Sequence, residues 1–240
     1  MLINADVGES FGAWPMGQDE LLMPWLDQAS IACGFHAGDP DVMAATVKLA
    51  LEQGVEMGAH PSYPDLQGFG RRSMQLPPDE VQHLLLYQVG ALQAIAQAEG
   101  GSIRYVKPHG ALYNDMLRDP HLLDAVMQAV ARLNQHQQHP LKLMLLARAD
   151  NSAVIHKATE YELPLYFEAF ADRAYTPEGL LMPRNQAGAV LHDLPAIQAQ
   201  AQQLLRGQPV KADSLCVHGD HPRAVEIAET LFRLVKHHAI

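Results

Sequence analysis

The sequence predicts an α/β protein: a distorted parallel β/α barrel of seven strands, built as one domain over residues 1–240. Short apolar runs alternate with stretches of helical periodicity along the whole chain, the order that parallel strands and crossover helices require. Six of the apolar runs end at or beside an ionisable residue: Asp6, His36, His60, His109, Glu168 and His218. An open sheet concentrates its chemistry at one switch point, whereas a closed barrel gathers every strand C-terminus around one mouth. The spread of polar ends therefore favours closure.

The strand runs are 2–6, 29–35, 55–60, 104–109, 142–147, 164–170 and 214–218. Helical periodicity fills 40–53, 78–99, 120–136, 151–161, 195–206 and 221–238. Asp39-Pro40 and Pro77-Pro78-Asp79-Glu80 mark helix starts, and Gly54 and Gly100-Gly101 stop the same two helices. Gly179–Pro183 is too short and too proline-bounded to count as an eighth strand. Residues 61–77 and 171–194 are long connections rich in Gly, Pro, Arg and aromatics, and loops of that length usually carry function.

A net charge of −10, with 17 basic residues and no Lys/Arg-rich run, argues against nucleic acid or an anionic membrane as partner. Cys33 and Cys216 are the only cysteines and no CxxC occurs, so both read as small buried residues in a reducing compartment. The chain opens on the strand Leu2-Ile3-Asn4-Ala5-Asp6 without a leader-like apolar stretch. No apolar run nears the ~20 residues of a membrane span, and a cytoplasmic location is expected.

Residues i and i+2 of a strand share a side, so Asn4 with Asp6, Lys107 with His109, and Cys216 with His218 are expected to face the barrel axis in pairs. Burying that many ionisable groups is costly unless they are paired or used. Asp6, His36, His60, Lys107, His109 and His218 are the candidate catalytic groups, and Asn4, Glu9, Arg71, Arg72, Glu168 and Arg173 the candidate substrate-binding ones. A carboxylate such as Asp6 can orient a histidine, act as a base or bind a metal. Lys107 is expected in its charged form, which nearby carboxylates favour.

In Gly68-Phe69-Gly70-Arg71-Arg72-Ser73, exposed backbone N–H groups and arginine forks suit an oxyanion. The sequence holds neither GxxxxGK[ST] nor a strand-led GxGxxG, so nucleotide binding has no motif here. Asp39 reads equally as a helix cap or a catalytic group, and Asp220 as a cap of the last helix. His83, His121, His136, His139 and His237 are expected on the surface.

The blocks NADVGE (4–9), ACGFHAGD (32–39), GAHPSYPD (58–65) with GFGRR (68–72), VKPHGALYN (106–114), EAFADRAY (168–175) and CVHGDHP (216–222) span essentially the whole chain. Together they resemble the LamB/YcsF family. The resemblance implies a distorted β/α barrel similar to those of polysaccharide deacetylases. It also implies ATP-coupled opening of the 5-oxoproline lactam to L-glutamate, in a complex with partner subunits B and C. ATP with Mg²⁺ is then handled at the level of the complex, in keeping with the missing nucleotide motif.

In that scheme Asp6 with His36 or His60 activates water, while Lys107 with Arg71 or Arg72 stabilises developing oxyanion charge. Two other readings stay open. One is a stand-alone metal-dependent N-acyl or amide hydrolase with Asp6, His36 and His60 as zinc or manganese ligands. The other is a non-catalytic scaffolding role in a complex. Acid/base chemistry is preferred over a bound transition metal, because an ATP-activated lactam needs less Lewis-acid help than an unactivated amide.

Overall fold

Alternation along the strands sorts apolar side chains outward and polar ones inward, and that sorting creates the site. The computed structural model describes the chain except residues 136, 177–178, 183–185, 220, 222 and 239–240 and the side chain at 238. Seven parallel strands close into a barrel in chain order. They are β1 (Leu2–Val7), β2 (Gln28–Ala32), β3 (Glu56–His60), β4 (Ile103–Val106), β5 (Lys142–Leu146), β6 (Leu165–Phe170) and β7 (Ser214–Val217). β7 returns to β1, with Leu2 opposite Ser214 and Asn4 opposite Cys216, so closure leaves no open edge. Of the stretch considered as an eighth strand, Leu181 makes only an isolated antiparallel bridge with Tyr175.

Ile3, Ala5 and Val7, Ala29 and Ile31, Met57 and Ala59, and Leu215 and Val217 pack outward into the hydrophobic layer beneath the helices. Their strand neighbours Asn4, Gln28, Ser30, His60, Tyr105, Glu168, Ser214 and Cys216 are buried on the other side. Hydrogen bonds satisfy much of this polar interior. Asn4 Nδ2 donates to Ser214 Oγ at 2.8 Å, and the Ser30 and Tyr105 hydroxyls lie 3.1 Å apart. Gly58 makes room for that tyrosine: a Cβ there would overlap the Tyr105 ring.

The helices are α1 (Asp19–Leu22), α2 (Pro40–Gln53), α3 (Pro78–Ala98), α4 (Gly110–Met116), α5 (Pro120–Asn134), α6 (Ser152–Thr159), α7 (Leu194–Leu205) and α8 (Ala224–His238). Proline in the first turn of α2, α3, α5 and α7 presets the helical φ and removes an N–H that would lack a partner. Asp39, Asp119 and Asp193 cap three of these helices. Asp39 accepts from Asp41 N and Val42 N at 2.9 Å each, so it is a cap and its catalytic alternative falls away.

Two strands stop three residues earlier than the apolar pattern suggests. β2 ends at Ala32 rather than 35, because the chain turns at Gly34, whose φ is +92°. β4 ends at Val106 rather than 109, because Pro108 has no N–H for the ladder and Gly110 opens α4. α8 begins at Ala224 instead of 221. His83, His121, His139 and His237 are exposed as expected, whereas His136 and Asp220 lie outside the described residues. Among the described residues no helix is long and apolar enough to cross a membrane.

Candidate active site

A cavity of about 360 Å³ opens at the C-terminal mouth of the barrel. Asp6, Glu9, His60, Arg71, Lys107, His109, Glu168, Arg173 and His218 all line it, although they are spread along the chain from residue 6 to residue 218. Asn4, His36 and Arg72 do not reach it. Arg72 points away: its guanidinium pairs with Asp65, Nε donating at 2.9 Å, and its side chain is 63% exposed. Asn4 and His36 are buried outside its lining, His36 stacked against the lining residue His109.

Lys107 sits at the centre. Its Nζ donates to Asp6 Oδ1 at 2.9 Å and Asn4 Oδ1 at 3.1 Å, contacts Cys216 Sγ at 3.2 Å, and pairs with Glu168 Oε2 at 2.9 Å. Burial opposes its charge, but Asp6, Cys216 and Glu168 outweigh burial and hold the amine well above the usual lysine range. It is an ammonium ion with its contacts filled, not a nucleophilic amine. Burial likewise tends to raise the Asp6 carboxyl, but its electrostatic and hydrogen-bond contacts with His60 and Lys107 win and hold it well below the usual range. Cys216 accepts from the lysine while burial pushes its thiol up, so the inert reading of this cysteine holds. Cys33 is also inert: its thiol donates to Ile31 O and is pushed up to about 12 by burial.

Three imidazoles crowd one wall. His36 and His109 stack with centroids 3.8 Å apart and planes 5° from parallel, and His60 meets both edge-on. His60 Nε2 lies 3.0 Å from His109 Nδ1 and 3.3 Å from Asp6 Oδ2. His36 Nε2 lies 3.3 Å from Glu9 Oε1, so the partner of Asp6 is His60 and not His36. Burial, followed by repulsion from the neighbouring imidazoles, pushes His36 well below its ordinary value. His109 is pushed down to about 3, by burial first and then by His60.

The glycine-rich stretch of the 61–77 loop serves this cluster. Phe69 adopts a left-handed φ of +52°, unusual for a bulky residue, and its carbonyl accepts from His109 Nε2 at 2.9 Å. Gly70, at φ +62°, passes so close that a Cβ would meet His36 Cβ and His109 Cδ2 at 2.8 Å. The glycines seat the backbone against two histidines, and Arg71 rather than Arg72 is presented to the cavity, over the Phe69 ring at 5.0 Å.

On the opposite side, His218 Nδ1 donates to Asp172 Oδ2 at 2.6 Å and its ring stacks on Phe170. A carboxylate on Nδ1 makes Nε2 the basic nitrogen of the neutral ring, the arrangement used to prepare a general base. Arg173 is anchored by donating to Ala189 O at 3.2 Å and Met182 O at 2.6 Å. The sequence places Asp172 with Glu168 and Arg173 after the sixth strand, and Tyr113 inside the 107–114 block, without giving either a role. Asp172 follows a strand run that already ends in Glu168, and Tyr113 belongs to the seven-residue helix α4, too short to show a period. Burial and the nearby Glu168 push the Tyr113 hydroxyl well up, so it stays a proton carrier beside the cavity.

Comparison with known proteins agrees with this architecture. The model of the LamB/YcsF family matches residues 1–240. A Vibrio cholerae protein named as a subunit of 5-oxoprolinase is 53% identical over 94% of this chain and 93% of its own. A Chromohalobacter salexigens protein of the same name is 52% identical over 93% and 92%. The crystal structure of a lactam utilization protein from Thermus thermophilus superposes with a TM-score of 0.91 at 38% identity, covering 100% of this chain and 97% of that one. A β-1,4-mannanase at TM-score 0.57 and 9% identity, with 96% of this chain and 97% of that one covered, shares the fold alone. With the model match running the full length of the chain and half the residues shared with curated relatives, the chain belongs to the LamB/YcsF family.

Proposed function

We propose that this chain is the barrel component of a 5-oxoprolinase, opening the lactam ring of 5-oxoproline to L-glutamate in a cytoplasmic, ATP-coupled complex with subunits B and C. The observation that carries the proposal is the mouth cavity, where arginines and proton-handling groups face one small space. Arg71 and Arg173 supply fixed positive charge for the substrate carboxylate. The Asp172-oriented His218 accepts the proton of an attacking water, in the way a carboxylate-held histidine acts elsewhere. Asp6 and Lys107, with their strong charge pairing, hold the ring amide, and His218 returns the proton taken from water to the departing nitrogen.

A lactam carbonyl is a poor electrophile; phosphorylation of its oxygen activates the ring carbon, so that attack of one water and departure of the nitrogen give an acyl phosphate, which a second water hydrolyses to L-glutamate and inorganic phosphate. The sequence offers no phosphate-binding loop for the phosphorylation, so ATP and Mg²⁺ are assigned to the partner subunits. Glutamate release from 5-oxoproline and ATP, measured for the chain alone and with both partners, tests the scheme. Turnover is expected only in the complete assembly. Robust ATP-dependent turnover by the isolated chain would overturn the division of labour, and an assembled complex that releases no glutamate would overturn the substrate.

A further inference from the structure

The hydrogen bonds of His60 and His109 fix where their lone pairs point. His60 Nδ1 lies 2.6 Å from Lys107 O and His109 Nε2 lies 2.9 Å from Phe69 O. A backbone carbonyl only accepts, so each of those nitrogens carries the hydrogen. In neutral rings the lone pairs then sit on His60 Nε2 and His109 Nδ1, which face each other at 3.0 Å. Two lone pairs do not attract, and something positive has to lie between them. Either one proton is shared, or a metal cation is bound.

A shared proton serves those two rings and leaves the rest of the cluster unexplained. Glu9 Oε1 lies 3.7 Å from His109 Nδ1 and 3.3 Å from His36 Nε2, and ligand atoms of Glu9, His36, His60 and His109 all fall within 4.8 Å of one another. His36 Nδ1 is buried with no hydrogen-bond partner. A cation engages all four residues at once. Histidine ligands are commonly held by a hydrogen bond from the remote nitrogen to a carbonyl or carboxylate, and two of these three are. The 3.0 Å gap is close to the roughly 3.3 Å between two nitrogens on a tetrahedral ion with bonds of about 2.0–2.1 Å, so only small movements are needed.

We propose that Glu9, His36, His60 and His109 form a binding site for one divalent first-row transition ion of zinc's class, set into the wall of the barrel mouth. Three imidazoles and one carboxylate suit such an ion and not Mg²⁺ or Ca²⁺, which take oxygen ligands. The set differs from the Asp6, His36 and His60 alternative considered from sequence, because Asp6 is committed to Lys107 at 2.9 Å. Asp6 Oδ2, 3.3 Å from His60 Nε2, is placed to accept a hydrogen from a water on the ion. The site stands on this geometry whether or not the lactam assignment holds.

The test is equilibrium binding of Co²⁺ and Zn²⁺ to the full, untagged, chelator-treated chain, followed by the visible d–d bands of cobalt and by calorimetry. One equivalent is expected, with a rise in melting temperature. Glu9→Gln and His36→Gln, each checked for folding by circular dichroism, should weaken binding more than about 100-fold, beyond the loss typical of an outer-shell change. A control at an exposed histidine, His121→Gln, should leave it unchanged. Failure of the wild-type chain to take up either ion at micromolar concentration, or equal affinity in the Glu9 and His36 variants, would overturn the site and assign the gap to a shared proton. Glutamate formation is a separate measurement, so the two proposals fail independently.

Discussion

Asp6 is ionised and shared between a histidine and a lysine, so its charge and not its size is the property at stake. Asp6→Asn keeps the shape and removes the charge. In the assembled complex it should lower glutamate formation by ~10²-fold or more, the scale of misplacing the ring amide it holds. A folded, assembled and fully active variant would make this carboxylate structural. The buried histidines give a second test at this scale. Because His109 is pushed down to about 3 and His36 is also lowered, the folded metal-free protein refuses protons that the unfolded chain takes up near pH ~6.5. The unfolded state then binds more protons, and stability falls as the pH drops from about 6.5 towards 3, by on the order of 1.4 kcal/mol per pH unit for each histidine. Chemical unfolding at a series of pH values checks this, and a flat profile between pH 6.5 and 4.5 would exclude neutral burial of these rings.

At the scale of elements, the third and fourth strands meet through a glycine facing a tyrosine. Gly58 stands opposite Tyr105 across the β3–β4 pair, where the register also shifts. Gly58→Ala forces its Cβ into the Tyr105 ring, which cannot move without losing the contact between its hydroxyl and Ser30. Overpacking of this kind costs typically 1–3 kcal/mol, and the double variant Gly58→Ala with Tyr105→Phe should recover little of it, because the ring and not the hydroxyl is in the way. Equal stability of Gly58→Ala and wild type in denaturant titration would show that the barrel interior is looser than this. The 61–77 loop makes the same point about close approach, since Gly70 brings the Phe69 carbonyl to His109 only because it has no side chain.

Across the whole molecule, one amine ties distant parts of the barrel together. Lys107 follows β4 and reaches Asn4 and Asp6 on β1, Glu168 on β6 and Cys216 on β7. Lys107→Met removes the cation and leaves Asp6 and Glu168 as buried like charges. Breaking a buried pair from one side typically costs about 3–5 kcal/mol. The variant should regain part of that loss on mild acidification, as one carboxylate takes up a proton and the repulsion ends. Urea unfolding at pH 7 and pH 5 measures both effects. A loss below about 1 kcal/mol at pH 7, with no relative gain at pH 5, would mean that the pair contributes little net stability.

The alternation of apolar runs and helical periods was enough to establish the β/α barrel, its seven strands and the gathering of Asp6, His60, Lys107, His109, Glu168 and His218 at one mouth. Strand periodicity and parallel connectivity are local properties that sequence records directly. Which of two adjacent arginines faces the cavity was decided by the turn at Phe69 and Gly70, and Arg72 went to Asp65. Whether Asp6 would meet His36 or His60 depended on the order of strands around the barrel and on how far past β2 the chain carries His36. The lone pairs of His60 and His109 were directed by carbonyls at Lys107 and Phe69, forty and more residues away from the rings they hold. Such outcomes follow from long-range packing and from backbone groups that are identical at every position, so residue types alone do not encode them; only the closed barrel brings the partners within reach.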